Sequence, residues 1–564
     1  MFVVWAGIAA LLLAGAASDA RSAKADLEAA RARFSSDELV EGEGLAALEG
    51  AQARFASAER RSGSPVLAPA RSLPFIGRQV RSLNALAAAG SDVLRVAVDA
   101  AGDVEELREG ETEPGARVAA VERLHTTVTR AAGELRAVSL GPDEALLAPL
   151  ADARQTVAEE LDEALTSLET AELVTAALVD VLDGSRYLVL ASNNAEMQAG
   201  WGMPLSVGVL EVVDGALVLE EMEATSDLLL PADAVQVEGD LADNWGFLRP
   251  SQDFRNLALT ASFEQAAPVA AAMWSELGRG EVEGVLVLDP LALQSILAST
   301  GPVEVAGAGV TADDVVPFSL HDIYVLEEQE GSGRGARQKR QSDISVAAVE
   351  SASSAGTDLV ELARNLAGAA ANRHVMAWSS DPEQQAAWVA AGVDGGLQAD
   401  SLLIGAVNRA ANKLDWFTDV KASLSAVPGD GGTEVTLEIE IVNQTPDGEP
   451  AYVTGPGTEY TGPPLSAGDW RGFLTVHLPG DATDRSIEGL DLVVDGPASL
   501  TRVVSAVVIV PKGESRTHIV RFTLPPDSGT ISVEPSARVR PIRWAAGGDR
   551  WADDAGTQVV QLDP

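Results

Sequence analysis

The amino-acid sequence changes its hydrophobic periodicity twice, and these changes limit the folds that the chain can adopt. Residues 19–183 are rich in Ala, Leu, Glu and Arg, with apolar residues three and four positions apart, as in helices. Residues 184–415 alternate short apolar runs with helical segments, and residues 417–564 alternate apolar and polar residues between turns. The sequence therefore predicts a multidomain α+β protein: a helical bundle or coiled-coil stalk, an α/β domain with a mixed sheet, and a C-terminal β-sandwich.

Length and composition agree with several folded domains. A chain of 564 residues is too long for one hydrophobic core, and 46% of its residues are hydrophobic, which is enough to fold. Its 40 basic and 84 acidic residues give a formal net charge of -44. This acidic character argues against general binding to nucleic acid, so no nucleic-acid partner is expected. The absence of cysteine excludes disulfides and thiol catalysis.

The N-terminal segment predicts export. The run MFVVWAGIAALLLAGAAS carries no charge before Asp19 and lacks a basic region ahead of its apolar part. We interpret residues 1–18 as an uncleaved transmembrane anchor, because a helical stretch follows at once. The alternative is a cleaved signal peptide, for which the small residues of AGAAS would form the cleavage site. The first interpretation predicts a single-pass protein of the cell membrane with an extracytoplasmic domain.

A basic cluster interrupts this acidic chain. Arg334, Arg337, Lys339 and Arg340 lie within seven positions, in and after the Gly/Ser-rich run GSGRG. A helix that begins here places Arg337, Arg340 and Gln341 on one face, with Arg334 one turn earlier. A helix N-terminus offers free N–H groups, and the planar guanidinium group binds phosphate oxygens in pairs. The cluster therefore predicts a site for a phosphorylated ligand.

A structural explanation of the same cluster stays open. Cations at a helix start are often solvated, or form ion pairs with nearby carboxylates. The chain supplies such carboxylates just before the cluster, at Glu327, Glu328 and Glu330.

A second polar stretch, LASNNAEMQAGWGMPLS, follows an apolar run. We expect a strand to end at Leu190 and a loop to carry Asn193, Asn194, Glu196 and Gln198 at its carboxyl end. Open α/β sheets bind their ligands at that edge. The alternative is a turn in which the asparagines bind local backbone groups.

Three blocks of sequence together resemble a known family. They are YLVLASNNAEMQAGWGMPLSVGVLEVVDG (187–215), VEGVLVLDPLALQSILASTGPVEV (282–305) and LHDIYVLEEQEGSGRGARQKRQSDI (320–344). In this order they resemble actinobacterial envelope proteins called domain of unknown function 4012. The order is also similar to that of the LytR-CpsA-Psr (LCP) cell-wall ligases, whose Arg-x-x-Arg-Gln helix motif is matched by Arg337, Arg340 and Gln341. The resemblance covers roughly residues 184–415 and implies an LCP-like α/β domain.

The resemblance implies an extracytoplasmic phosphotransferase of cell-wall biogenesis. Such ligases move a glycan phosphate from a polyprenyl-pyrophosphate carrier to peptidoglycan or another envelope glycan, with Mg²⁺ held by acidic residues and the lipid tail in an apolar cavity. Carried over, Arg337 and Arg340 are the catalytic residues that hold the pyrophosphate. Binding of the lipid head group is further expected from Arg334, Gln341, Asn193, Asn194 and Gln198.

This sequence also departs from the ligase pattern. Asn193, Asn194 and Gln198 stand where the ligases carry acidic and arginine residues, and Glu196 is the one carboxylate of that stretch available to a metal. Amides are poor replacements for the anionic oxygens that Mg²⁺ prefers. A second hypothesis is therefore a non-catalytic envelope or glycan-assembly scaffold with a degenerate LCP-like domain. Likewise, the apolar segments of that domain either line a lipid cavity or form plain core.

Overall fold

The computed structural model describes most of the chain in two compact units. Unit 1 comprises Met1–Glu111 and Val118–Val179, and unit 2 comprises Thr112–Arg117 and Asp180–Pro564. The protein is a multidomain α+β protein with many helices and several mixed sheets, as the sequence predicted in outline. The described residues are 2–33, 42–109, 114–213, 215–354, 357–429, 431–458 and 460–562.

Unit 1 is helical and packs largely through alanine. Ala16, Ala58 and Ala87 are fully buried against one another where three helices meet. Small side chains of high helix propensity let helix backbones approach closely, which explains the alanine-rich sequence. Its helices are α1 (Phe2–Arg33), α2 (Gly42–Ser62), α3 (Ala68–Arg71), α4 (Ile76–Glu109), α5 (Pro114–Arg136) and α6 (Ala148–Asp183).

Helix α1 contains the segment for which the sequence predicts a membrane anchor. None of the helices formed by the described residues has the apolar length that crossing a bilayer requires. The membrane location of the protein stays a prediction.

Unit 2 begins with a mixed six-stranded sheet. Its strand order is β3-β2-β1-β5-β8, with β4 paired to β2. Strands β1 and β5 are parallel, whereas β1–β2 and β5–β8 are antiparallel. The strands of this part of the chain are β1 (Arg186–Met197), β2 (Gly202–Val213), β3 (Ala216–Leu219), β4 (Glu223–Ala224), β5 (Gly284–Leu288), β6 (Val303–Val305), β7 (Ala308–Val310) and β8 (Val375–Ser379).

Helices cover both faces of this sheet. Val189 faces a core with Leu293 and Ile344, whereas Leu188 and Leu190 face a second core. Strands buried on both faces read as continuous apolar runs, which is the pattern of residues 187–190. The helices of unit 2 are α7 (Gly239–Trp245), α8 (Phe263–Glu276), α9 (Pro290–Thr300), α10 (Ala312–Pro317), α11 (Ile323–Glu330), α12 (Gly333–Ser351), α13 (Leu359–Ala371), α14 (Pro382–Ala390) and α15 (Ala451–Thr454).

Two further six-stranded sheets share one hydrophobic core. Their orders are β13-β16-β11-β10-β18-β19 and β14-β15-β12-β9-β17-β20. Apolar residues of both sheets, such as Leu437 and Leu474, are fully buried between them. The strands are β9 (Ser401–Asn408), β10 (Thr418–Gly429), β11 (Gly432–Asn443), β12 (Trp470–Pro479), β13 (Thr483–Ile487), β14 (Leu492–Ala498), β15 (Thr501–Val510), β16 (Ser515–Leu524), β17 (Thr530–Val533), β18 (Arg543–Ala546), β19 (Asp549–Ala552) and β20 (Gln558–Gln561).

Strand β9 connects the central sheet to these two sheets. It precedes residue 415, the predicted end of the α/β domain, yet it hydrogen-bonds to β12 and β17. Val407 of β9 and its partner Phe473 of β12 face away from the other sheet and pack in the same core as Leu188 and Trp201. The predicted boundaries at 183 and 415 stay predictions, but a continuous core runs across the second of them.

The prediction that the first strand ends at Leu190 is wrong. β1 continues to Met197 and pairs with β2, with register shifts after Ala191 and after Asn193. At the second shift the side chain of Asn193 accepts a hydrogen bond from the backbone N–H of Ala195 at 3.0 Å. This side-chain bond satisfies the backbone where the ladder slips, so polar residues predicted for a loop lie in a buried strand.

The buried His477 on β12 makes a contribution to the stability of unit 2 that is lost in acid. Burial lowers the pKa of His477 to about 3, and the charge of Arg373 adds to this effect. The unfolded chain binds a proton near pH 6.5, so the free energy of unfolding falls below that pH by up to about 1.4 kcal/mol per pH unit. We expect His477→Gln to lose this dependence, measured by chemical denaturation between pH 7.5 and 4.5.

His125→Gln, a substitution in unit 1, is the matched control and should keep the dependence. Equal slopes in the parent protein and His477→Gln would contradict the assignment.

Candidate anion-binding site

Arg337 lies in a buried aromatic environment near the start of α12. Its side chain is 5% exposed and forms an ion pair with Glu327 on α11. Its Nη2 donates a hydrogen bond to the Tyr452 hydroxyl at 3.2 Å. The guanidinium carbon lies 4.3 Å from the ring centroid of Tyr452 and 5.2 Å from that of Tyr324. Arg337 is therefore held by a carboxylate, a hydroxyl and two aromatic faces.

The turn between α11 and α12 brings Glu327 back to Arg337. Gly331 and Gly333 have φ values of 62° and 77°, in the left-handed region that glycine tolerates. This reversal between two helices lets glutamates of α11 face arginines of α12 ten residues later. The glycine-rich run before the basic cluster thus serves the local chain reversal.

A second buried cation contacts the same tyrosines. The rings of Tyr324 and Tyr452 stack with centroids 5.4 Å apart, and the Lys413 Nζ lies 5.1 Å and 5.8 Å from them. Lys413 is 1% exposed and forms an ion pair with Glu196 of β1. Burial acts to lower the pKa of Lys413, but Glu196 and the two tyrosines outweigh it and raise that pKa.

Asn193 joins this group through Tyr324. Its side-chain amide donates a hydrogen bond to the Tyr324 hydroxyl at 3.1 Å. The structure thus brings together four residues that the sequence singled out, Asn193, Glu196, Glu327 and Arg337, because β1, α11 and α12 meet at the tyrosine pair. We call this group the aromatic–cation cluster; its members are Asn193, Glu196, Tyr324, Glu327, Arg337, Lys413 and Tyr452.

An open pocket of about 320 Å³ lies beside the cluster. This volume is at the lower end of the range for small-molecule sites. Solvent reaches Tyr452, which is 51% exposed, so one face of the tyrosine pair is accessible. The pocket is lined by Tyr324, Glu327, Glu328, Gly331, Gly333, Pro450, Ala451 and Tyr452.

The other basic residues of α12 do not join the cluster. Arg340 donates to Glu330 at 2.8 Å, and Arg334 pairs with Asp227 at 3.1 Å on the surface. The ion pairs proposed in the structural explanation are therefore present for Arg337 and Arg340. In this conformation each of the three arginines already has a carboxylate partner.

Gln341 lies in a different place, at a small cavity between the central sheet and α12. This cavity has a volume of about 60 Å³ and is also lined by Asn193 and Asp289. It has room for a few water molecules, far less than an isoprenoid chain requires. Its volume favours the interpretation of this region as plain core. The remaining lining residues are mainly apolar and include Val189, Leu219, Met222 and Leu293.

Asn194 and Gln198 point to other buried groups. Asn194 donates to Asp289 Oδ2 and to the Ala537 carbonyl, both at 2.8 Å. Gln198 donates to the Asn408 carbonyl at 3.4 Å. These partners lie outside the aromatic–cation cluster, so neither Asn194 nor Gln198 belongs to it.

The carboxylates near β1 do not fit a magnesium site. Glu196 is neutralised by Lys413, and Asp289 accepts from Asn194 and lies 2.6 Å from His374 Nδ1. Within the described ranges, no three His, Asp or Glu side chains are grouped as metal ligands. Mg²⁺ is usually held by one or two carboxylates, and both of these carboxylates already have partners.

Sequence reasoning missed three members of the cluster: Tyr324, Tyr452 and Lys413. Tyr452 and Lys413 lie far along the chain from the basic helix and reach it only through the packing of β9 and α15. The small number of tyrosines in the sequence was one usable signal for this site. The chain has only four tyrosines, and two of them form this stacked pair.

The buried ion pair of Lys413 predicts a large loss of stability when one partner is removed. Lys413→Met leaves Glu196 charged and buried without a cation, which we expect to lower the free energy of unfolding by about 3–5 kcal/mol. The double substitution Lys413→Met/Glu196→Gln should recover most of this loss, because neither charge remains. Urea denaturation of the three proteins measures the effect. A double variant as unstable as Lys413→Met would contradict the pairing.

Comparison with known proteins bears on the first part of unit 2. No curated protein and no solved structure matched the chain. Residues 183–324, which contain Asn193, Glu196 and Tyr324 of the aromatic–cation cluster, match a protein family described as "Protein of unknown function (DUF4012)".

Proposed function

We propose that the protein binds the phosphate head group of a polyprenyl-linked glycan at the aromatic–cation cluster, on the extracytoplasmic side of the cell membrane, without transferring the glycan. The observation that carries this proposal is Arg337: a buried guanidinium group on two tyrosine faces beside an open pocket. Arginine binds phosphate oxygens in pairs, and a partly desolvated site strengthens such contacts. The membrane anchor of this proposal is residues 1–18.

The fold is compatible with the LCP-like reading. A mixed sheet is covered by helices on both faces, and the Arg-x-x-Arg-Gln motif lies in the first turns of a helix beside that sheet. Two sheets around one core likewise support a C-terminal β-sandwich. A fold of this kind supports many functions, so the proposal depends on the site residues.

Binding at the cluster requires an exchange of anions. Without ligand, Glu327 forms an ion pair with Arg337 and Glu196 forms one with Lys413, so the net charge of the cluster is close to zero. A phosphate that enters the pocket would replace Glu327 at the Arg337 guanidinium. Glu327 lines the same pocket and can turn toward solvent, whereas Glu196 is buried.

A second candidate function is a scaffold that assembles envelope glycans without binding the carrier head group. It is favoured by the ion pairs, because Arg334, Arg337 and Arg340 all have carboxylate partners. The carboxylates near β1 are already paired, which weighs against magnesium-assisted glycan transfer to peptidoglycan under either function. Under this second function, the contacts of the cluster hold α12 against the segment around Tyr452.

The exchange predicts opposite effects for the two partners of one ion pair. Arg337→Gln should weaken binding of a short-chain polyprenyl pyrophosphate at least about tenfold, because a charge-assisted contact is lost. Glu327→Gln should strengthen binding by a similar factor, because it removes the competing carboxylate. Isothermal titration at constant ionic strength, without added magnesium, measures both.

Glu328→Gln is the matched control. It removes the same charge from the same pocket, but no contact to Arg337, so its effect should be much smaller. If Glu327→Gln and Glu328→Gln strengthen binding equally, the cause is the lower negative charge of the pocket and not release of Arg337 from Glu327. Absence of binding in all four proteins would favour the scaffold.

A further inference from the structure

Two arginines lie directly opposite each other across strands β9 and β12. Asn408 pairs with Gly472, and the next pair is formed by Arg409 and Arg471, whose backbone N–H and carbonyl are 2.9 Å apart. Residues opposite each other in an antiparallel pair project from the same face with Cβ atoms about 5 Å apart. Their neighbours Trp470 and Leu474 face the core between the sheets, so both arginines project from the outer face.

Like charges in this arrangement are unfavourable unless an anion compensates them. Among the residues that the structure describes, neither Arg409 nor Arg471 forms an ion pair with a carboxylate. The Arg409 guanidinium donates to the Asn256 side-chain oxygen at 3.1 Å, a neutral acceptor. The Arg471 guanidinium lies 5.7 Å from the Tyr460 ring centroid, and its Nε is buried without a hydrogen-bond partner.

Within the described part of the chain, carboxylates act on Arg409 only from a distance and not through an ion pair. Arg255, next to Asn256, is matched by Asp253 at 2.8 Å, so that pair adds no net negative charge. Burial lowers the pKa of Arg409; the charges of Asp253 and Glu196 oppose this, and the charges of Arg255 and Arg471 add to it. Both arginines are only partly exposed, so water screens their repulsion incompletely.

We propose that Arg409 and Arg471 bind a phosphate dianion, as free phosphate or as the phosphate group of a sugar phosphate. Two guanidinium groups on one face offer two charges and several parallel N–H donors, which match a tetrahedral dianion. A single carboxylate would neutralise only one of them. This site does not depend on the aromatic–cation cluster, and it places a second phosphate-binding position on the outer face of the β9–β12 pair.

The experiment uses the full chain, with inorganic phosphate as the probe and chloride to hold the ionic strength constant. Thermal unfolding of the parent protein should shift upward with phosphate. Arg471→Gln should be more stable than the parent without phosphate, because the like-charge repulsion is relieved, and it should bind phosphate at least about tenfold more weakly. The unfolding temperatures of the parent protein and Arg471→Gln, plotted against phosphate concentration, should therefore cross.

Arg502→Gln is the matched control, since Arg502 lies on β15 of the same sheet, opposite Leu478 at the far end of β12. It should bind phosphate as the parent does. The proposal is overturned if phosphate stabilises Arg471→Gln and the parent equally, or stabilises neither. If Arg337→Gln still binds phosphate, this site is separate from the aromatic–cation cluster. If Arg337→Gln loses phosphate binding, the proposed arginine-pair site is overturned.

A second titration identifies the source of the phosphate. Glucose 1-phosphate that protects the parent more strongly than inorganic phosphate indicates a sugar-phosphate site with contacts beyond the arginines. Equal protection indicates that the arginine pair recognises the phosphate group alone. Both results support the site, whereas protection by inorganic phosphate with none by the sugar phosphate restricts it to the free ion.

Discussion

The buried ion pair between Glu196 and Lys413 is the contact on which the architecture of the candidate site depends. Removing two charges from water costs several kcal/mol per ion unless their partners are well placed, so both backbones must be held accurately. Glu196 belongs to the central sheet, and Lys413 belongs to the segment that leads into the last two sheets. The pair therefore fixes the tyrosine pair and Arg337 relative to β1.

A second buried carboxylate holds the same segment from the other side. Asp415 accepts hydrogen bonds from the Met197 backbone, the Asn408 amide, the Trp470 indole and Arg538 at 2.9–3.2 Å. Burial raises the pKa of Asp415, and Arg538, Asn408 and the Met197 N–H act in the opposite direction. One side chain thus joins β1, β9 and β12, which explains why unit 2 has no break near residue 415.

Local sequence patterns predicted elements better than they predicted the site. Helices of unit 1 and the strands around Leu188 and Leu437 follow from periodicity, which depends only on neighbouring residues. The end of β1 was mispredicted because the Asn193 side chain replaces a backbone partner, and no periodicity records this. Lys413 and Tyr452 were missed for a related reason: their importance comes from contacts between distant parts of the chain.

The two proposed phosphate positions differ in the state of their arginines before a ligand arrives. Arg337 already has Glu327, so an anion must compete with a carboxylate, and a pyrophosphate with its higher charge competes better than a monophosphate. Among the described residues, Arg409 and Arg471 contact only neutral groups, Asn256 and Tyr460, so an anion adds to them without displacing a carboxylate. The two proposals therefore predict selectivity for highly charged head groups at the aromatic–cation cluster. The arginine pair instead favours any dianion of the right shape, whatever carries it.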